Sequence, residues 1–326
     1  VNATINGVNI GKGANSVSGN TALGESALDA SVSGGSNTAV GFEALTTLTS
    51  GSNNTAVGKD SLKLNTTGAE NTGIGAFALD NNTTGSDNTA VGRAALDANT
   101  TGGNNTALGR NAMQANTTGA KNTAIGAFAF NSNTTGGNNV VIGYNALETA
   151  TGVSGSTAVG YQSQRFNTSG ADNTSLGNST LYNNTTGSNN VAVGSSALIQ
   201  NTTGTGNVAV GTNALDANTT ASDNIAIGHN SLGANTTGTL NIGIGSLAGD
   251  AITTGDQNIA IGYRSLSANQ TGGQNIAIGI DALKLSTADN NTAVGYDTLK
   301  ANTTGANNTA IGKGALDANT TASDNT

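Results

Sequence analysis

The feature that most constrains this chain is a 17-residue repeat that runs along nearly its whole length. The pentapeptide Asn-Thr-Ala-Val/Ile-Gly recurs with small variations, and it ends in glycine each time. The eighteen intervals between these glycines are one of 13 residues, one of 16 and sixteen of 17. A disordered Gly-rich coil would not keep this register, so the sequence predicts a repeat protein. The repeat glycines are Gly11, Gly24, Gly41, Gly58, Gly75, Gly92, Gly109, Gly126, Gly143, Gly160, Gly177, Gly194, Gly211, Gly228, Gly245, Gly262, Gly279, Gly295 and Gly312.

The consensus of one repeat is N-T-A-V-G-x-x-A-L-x-A-N-T-T-G-x-N, and repeat positions are numbered from its first Asn. One copy runs from Asn88 to Asn104. Position 4 is Val, Ile or Leu, position 8 is Ala, Ser or Thr, and position 9 is usually Leu. Positions 2 to 4 alternate as in a strand, so position 4 is expected to face one side and position 3 the other.

The repeat predicts an all-β chain. Helix-pair repeats need about 33 residues or more, and the many Thr, Val, Ile and Asn residues with two fixed glycines disfavour a helix. We therefore expect a parallel β-solenoid of about 19 coils. Each coil is predicted to hold a strand at positions 2 to 4, a second strand at positions 8 to 11 and an Asn-Thr-Thr-Gly turn. The glycines at positions 5 and 15 are expected to turn corners at positive φ.

Stacking places identical positions above one another, about 4.8 Å apart. Asn at position 12 is then predicted to form a hydrogen-bonded ladder. The apolar core is thin, since one coil is expected to bury one Val or Ile, one Leu and two Ala, worth roughly 5 kcal/mol. Ordering each residue costs about 1–2 kcal/mol of backbone entropy. We therefore expect chains to associate, with a parallel homotrimer as the hypothesis.

Position 2 supplies the candidate contact surface for that association. It is Thr in most repeats and becomes apolar in six consecutive ones. A face that accepts both Thr and Ile is expected to be partly buried, which suits a subunit interface. The candidate interface residues are Val191, Val208, Ile225, Ile242, Ile259 and Ile276.

Composition excludes several classes of protein. Without cysteine there is no disulfide framework or thiolate metal site. The one histidine, His229, stands at position 6 and is expected to be an exposed rim residue. A net charge of −8 offers no basic face for nucleic acid, and no apolar run reaches the roughly 20 residues of a membrane span. We predict no enzyme and no catalytic, cofactor-binding or metal-binding residues, because the repeat explains nearly every polar side chain.

Four other residue sets have both a structural and a functional interpretation. Asp recurs at positions 10 and 17, as at Asp97 and Asp87, but these columns are interrupted and favour surface decoration over a cation site. Asn-Thr-Thr sequons follow the turn, so turn chemistry explains them without glycosylation. Thr pairs at positions 13 and 14 suggest an ice-binding array as a minor alternative. Aromatic residues at positions 6 and 7 suggest a carbohydrate-binding surface or, more simply, decoration; they are Phe42, Phe77, Phe128, Tyr144, Tyr161, Tyr263 and Tyr296.

The unit Asn-Thr-Ala-Val-Gly-x-x-Ala-Leu resembles the head repeats of YadA-like trimeric autotransporter adhesins and the β-roll repeats of bacteriophage tail fibres. The resemblance covers essentially the whole chain, and Val1 to Gly13 also look like the start of such a fibre domain. It implies a left-handed parallel β-roll in a tight trimer. The period of 17 is longer than the usual adhesin head repeat, so we expect a wider Asn-Thr-Thr-Gly turn.

Two regions are expected: an N-terminal capping segment with a first short coil at 1–20, and the regular solenoid at 21–326, which stops within a repeat. We therefore expect the chain to be part of a longer fibre. The predicted role is a structural shaft, extracellular or on a virion, that holds or forms an adhesive surface for a glycan or protein receptor. A self-assembling extracellular filament and an ice-binding solenoid are the alternatives.

Overall fold

The structure is a computed structural model that describes residues 3–6 and 8–326. Regular structure in the described residues is all β. The strands are β1 (Ala3–Ile5), β2 (Val8–Gly11), β3 (Thr21–Gly24), β4 (Thr38–Val40), β5 (Thr55–Val57), β6 (Thr72–Ile74), β7 (Thr89–Val91), β8 (Thr106–Leu108), β9 (Thr123–Ile125), β10 (Val140–Ile142), β11 (Thr157–Val159), β12 (Thr174–Leu176), β13 (Val191–Val193), β14 (Val208–Val210), β15 (Ile225–Ile227), β16 (Ile242–Ile244), β17 (Ile259–Ile261), β18 (Ile276–Ile278), β19 (Thr292–Val294) and β20 (Thr309–Ile311).

The chain forms two compact units, Val1–Gln162 and Ser163–Thr326. In the first, β3 to β11 stack in parallel, each residue pairing with its equivalent in the next repeat, as Thr89 does with Thr106. In the second, β12 to β20 stack in the same way. The fold is a parallel β-solenoid of about 17 turns with 17-residue spacing.

The N-terminal segment departs from the predicted stacking. β1 pairs antiparallel with β2, and β2 pairs antiparallel with β3, placing Gly11 opposite Ala22. The 13-residue interval from Gly11 to Gly24 is therefore not a parallel coil. It is four residues shorter than the repeat, and the chain reverses direction there instead of completing a turn. The predicted count of 19 coils was too high for this reason.

Each strand from β4 to β20 buries only its middle residue. Ala90 in β7 and Ala226 in β15 are fully buried, while the residues on either side face outward. Position 8 and position 9 complete the apolar core, for example with Ala95 and Leu96. Asn at positions 1 and 12 is also buried, as Asn88 and Asn99 show. The core therefore contains more amide side chains than large apolar ones, because a regular coil buries two Asn and one Leu.

The predicted second strand at positions 8 to 11 was wrong, because this stretch is a turn. Positions 8 and 9 are adjacent and both buried, whereas consecutive residues of a strand point to opposite faces. The backbone achieves this by placing positions 7 and 9 in the left-handed region, at φ +53° for both Ala94 and Leu96. Hydrogen bonds to neighbouring coils hold the turn: Ala94 N donates to Ala76 O at 2.9 Å, and Leu96 N donates to Ala112 O at 3.0 Å.

The two fixed glycines serve different purposes. Position 5 turns a corner at positive φ, from +121° to +141° between Gly41 and Gly312. Position 15 does not adopt positive φ, contrary to the prediction, and its requirement is steric. A Cβ on Gly102 would lie 2.3 Å from the carbonyl oxygen of Gly119 in the next coil. Close stacking of backbone on backbone, not chain reversal, therefore favours glycine at position 15, where Val153 and Ala221 are exceptions.

Candidate functional site

A candidate surface in each unit is the outer side of its strand stack, formed by positions 2 and 4 and called the strand face below. Position 4 was expected in the core together with Leu at position 9, but the structure places it outside. Ile74 is 40 % exposed, Leu108 46 % and Leu176 49 %. The alternation was predicted correctly, but the two faces were assigned the wrong way round. The small residue at position 3 faces inward, and the larger residue at position 4 faces outward.

The strand face carries no charged side chain in either unit, over β3 to β11 in the first and β12 to β20 in the second. Its position 2 residues are Thr, Val or Ile, and its position 4 residues are Leu, Val or Ile. The six predicted interface residues all lie on it: Val191 is 36 % exposed, and Val208, Ile225, Ile242, Ile259 and Ile276 are half-buried. In the C-terminal unit, β13 to β18 thus present two adjacent apolar rows. Contiguous apolar surface of this kind marks interaction sites in soluble proteins.

The Asn ladder predicted at position 12 is present. Asn99 Nδ2 donates to Asn82 Oδ1 at 2.7 Å, and Asn116 Nδ2 donates to Asn99 Oδ1 at 2.8 Å. A second ladder at position 1 was not predicted. There, Asn88 donates from its backbone N and from Nδ2 to Asn71 Oδ1, at 3.0 and 3.1 Å.

The two ladders meet at the position 15 glycine. Gly102 O accepts from Asn88 Nδ2 and from Asn99 Nδ2, both at 2.9 Å. The Asn of each Asn-Thr-Thr sequon at position 12 is therefore a buried structural side chain wherever the ladder continues. In the folded chain these amides are inaccessible to glycosylation.

The Thr pairs at positions 13 and 14 are not equivalent. Position 13 donates its hydroxyl to the backbone of the next coil: Thr66 Oγ1 bonds Thr83 O at 2.9 Å, and Thr83 Oγ1 bonds Thr100 O at 3.0 Å. Position 14 is exposed, as at Thr67 and Thr84. Only one of the two Thr columns therefore offers free hydroxyl donors to solvent.

The aromatic residues form separate groups. Lys59 Nζ lies 5.9 Å from the Phe42 ring centroid and 5.4 Å from that of Phe77. In the C-terminal unit the rings of Tyr263 and Tyr296 each contact one cation, of Arg264 and Lys313 respectively.

Phe128, Tyr144 and Tyr161, in contrast, contact one another in three successive coils. The Phe128 and Tyr144 centroids are 6.2 Å apart with the rings edge to face, and the Tyr144 and Tyr161 centroids are 5.8 Å apart with the rings stacked. The sequence showed these residues only as scattered members of two positions, 6 and 7. Their spacing is the signal that relates them: Tyr161 follows Tyr144 by one full period of 17 residues, and Tyr144 follows Phe128 by 16.

The Asp residues at positions 17 and 10 differ in burial. Asp87, Asp172, Asp223 and Asp256 at position 17 are exposed. At position 10, burial raises the pKa of Asp97, Asp216 and Asp250. Burial, and secondarily the charge of Asp97, raises the pKa of Asp80 to about 6. The Oδ1 atom of Asp80 is buried and accepts no hydrogen bond.

Three further features of the described residues add no candidate surface to the strand face and the aromatic group. His229 is exposed on the rim after its corner glycine. In the part of the chain that the structure describes, no three His, Cys, Asp or Glu residues converge as metal ligands would. None of its elements is a helix with the length and hydrophobicity needed to span a bilayer.

Comparison with known proteins adds no family. No protein-family model matches the chain, and no curated protein is significantly similar to it. What the molecule defines is a class: a β-solenoid repeat protein with a 17-residue period.

Proposed function

We propose that the chain is the shaft of an extracellular or virion fibre, in which copies associate through their strand faces. The observation that carries this proposal is the strand face itself, which is uncharged and partly exposed, with an apolar row at position 4 in every repeat and a second one at position 2 in β13 to β18. Val191, Ile227 and Ile278 are 36 %, 40 % and 37 % exposed in a single chain. Burying such side chains against a second copy removes apolar surface from water, worth about 25 cal/mol per Å².

The thin core supports the same proposal. One coil buries a Leu and two Ala, because its Val or Ile lies on the strand face. The apolar burial within a single chain is therefore smaller than the sequence suggested. A neighbouring chain would cover the position 4 side chains that are exposed in a single chain.

The number of copies and the biological setting rest on the repeat motif. The resemblance to YadA-like adhesin heads and phage tail-fibre repeats favours a left-handed β-roll in a parallel homotrimer. A stiff shaft would hold an adhesive surface away from the cell or particle, and three copies would multiply weak receptor contacts. The proposed role is mechanical and adhesive, without catalysis.

Light scattering on the purified chain tests the proposal. The expected mass is three times the chain mass of 31.6 kDa. The double variant Ile242→Lys/Ile259→Lys, which places two charges on the strand face, is expected to be monomeric. The control Thr254→Lys/Thr271→Lys adds the same charges at exposed position 14 of the same repeats and should keep the wild-type mass.

Two outcomes would favour the alternatives. A monomeric wild-type chain would exclude self-association through the strand face, and thermal hysteresis in that monomer would then support an ice-binding solenoid. A mass that grows without limit as concentration rises would instead indicate an end-to-end filament.

A further inference from the structure

The aromatic strip is defined as Phe128, Tyr144 and Tyr161, which stand in three successive coils of the N-terminal unit. Its rings form a row along the stacking direction, beyond the corner glycines that end the strands. Arg110, one coil earlier, extends the row, with its guanidinium carbon 4.6 Å from the Phe128 ring centroid. Four consecutive coils therefore contribute one planar group each.

The strip presents both ring surface and polar groups to solvent. Tyr144 is 47 % exposed and Tyr161 is 49 % exposed. Neither phenol hydroxyl makes a hydrogen bond to the described residues of this unit. Tyr combines a large apolar body with a polar tip, which is why it is favoured where a ligand must be both stacked and hydrogen-bonded.

Amide side chains lie in the coils that carry Arg110 and Phe128. Asn111 Nδ2 donates to Gln114 Oε1 at 2.8 Å, and Asn131 Nδ2 donates to Asn111 O at 2.9 Å. All three residues are partly exposed. Amides offer donors and acceptors together, as a ligand rich in hydroxyl groups requires.

Stabilisation of the fold alone does not account for the strip. The Tyr144 and Tyr161 rings stack on each other but stay about half exposed, whereas the one aromatic side chain at position 9, Phe130, is completely buried. The other tyrosines at position 6, Tyr263 and Tyr296, each contact a cation. The strip is thus the place in the N-terminal unit where exposed rings follow one another from coil to coil.

We propose that the aromatic strip binds a linear glycan that lies along the stacking direction, with about one sugar residue per coil. The apolar C–H faces of the sugars stack against the rings, while hydroxyl groups bond the Tyr144 and Tyr161 phenols and the neighbouring amides. The ring separations of 6.2 and 5.8 Å are comparable to the length of one hexose. Nucleic acid, which also stacks on aromatic rings, is disfavoured by the net charge of −8.

This inference rests on the proposed adhesive role and assigns its receptor a chemical class. The two are nevertheless separable, because the strip lies at positions 6 and 7 and the strand face at positions 2 and 4. Glycan binding by a monomeric chain would overturn the trimeric shaft and keep the glycan site. A trimer that binds no glycan would overturn the glycan site and keep the trimeric shaft.

The test is binding of the full chain to cellohexaose, chitohexaose, xylohexaose and maltohexaose, screened on an array and measured by isothermal titration. Binding to at least one is expected. The variant Tyr144→Ser/Tyr161→Ser should raise the dissociation constant about tenfold or more, because the loss of stacking on one aromatic ring alone corresponds to roughly a factor of ten. The variant Tyr144→Phe/Tyr161→Phe keeps the rings and should lose only part of the affinity.

The matched control is Tyr263→Ser/Tyr296→Ser, which removes two exposed tyrosines at the same repeat position. It should bind within about twofold of wild type, and every variant should keep the wild-type mass and circular dichroism. Failure of the wild-type chain to bind any of the four hexasaccharides would overturn the inference. An equal loss in the control variant would overturn it as well.

Discussion

Leucine at position 9 shows how stacking overrides local preference at a single residue. Leu45, Leu96 and Leu147 adopt φ of +53°, +53° and +48°, in a region that costs an L-residue roughly 1–2 kcal/mol. Each gains full burial, worth about 1.5–3 kcal/mol. The burial of Leu could be predicted from the repeat. Its backbone conformation could not, because the coil-to-coil hydrogen bonds that stabilise it are absent from any one repeat.

Asp80 makes the stability of the N-terminal unit depend on pH. Its folded pKa of about 6 lies above the ordinary value of 3.8, so the folded state holds the proton more tightly than the unfolded state. Its contribution is therefore fully present below about pH 4 and is lost as pH rises through about 6. We expect Asp80→Asn to raise the free energy of unfolding at pH 7 by up to about 1 kcal/mol after solvent screening.

Urea unfolding of wild type and variant between pH 4 and pH 7 measures this effect. The gain should shrink toward zero at pH 4, where wild-type Asp80 is largely protonated. Asp87→Asn, which removes an exposed charge from the same repeat, serves as the control and should show no comparable gain. A constant advantage of Asp80→Asn at every pH would contradict burial of the charge as its cause.

At the scale of the element, the strand and the turn differ in how far the sequence predicted them. The strands at positions 2 to 4 follow from alternation, and their parallel stacking follows from the period. The turn at positions 6 to 11 could not be predicted, because small residues at 8 and Leu at 9 fit a strand equally well by propensity. Only the burial of both side chains on one face, seen for Ala95 and Leu96, distinguishes the two.

In one irregular coil, a large apolar residue at position 12 compensates for the missing Leu at position 9. Gly249 replaces Leu at position 9 and Ile252 replaces Asn at position 12. A Cβ on Gly249 would lie 2.9 Å from Ile252 Cδ1, so the Ile side chain occupies the space left by the missing Leu. The ladder is interrupted as a result, and the buried Oδ1 of Asn235 accepts no hydrogen bond.

A double-mutant cycle should reveal this exchange. Gly249→Leu alone is expected to clash with Ile252, and Ile252→Asn alone to leave a cavity, each costing about 1–4 kcal/mol. The double variant restores the consensus core and the ladder acceptor at Asn235, so it should be at least as stable as wild type. Gly249 already has φ +58°, close to that of Leu at the same position elsewhere. Additive losses in chemical denaturation would contradict the exchange.

At the scale of the whole molecule, surface chemistry divides by repeat position. Positions 2 and 4 form the uncharged strand face, while ionisable residues recur at positions 6, 7, 10 and 17. Some pair between coils, as Arg264 does with Asp281 at 2.9 Å, but the chain keeps a net charge of −8. Two copies that meet through the strand face would therefore be attracted by apolar burial and opposed by long-range charge repulsion.

Salt should consequently strengthen self-association. The Debye length falls from about 10 Å at 0.1 M to about 3 Å at 1 M salt, which removes repulsion between like-charged chains while leaving apolar burial intact. We expect the dissociation constant from sedimentation equilibrium to fall between 0.05 and about 0.5 M NaCl. Ile242→Lys/Ile259→Lys should stay monomeric throughout, because salt does not restore the apolar surface it removes. Weaker association at high salt would show that ion pairs, not the strand face, hold the copies together.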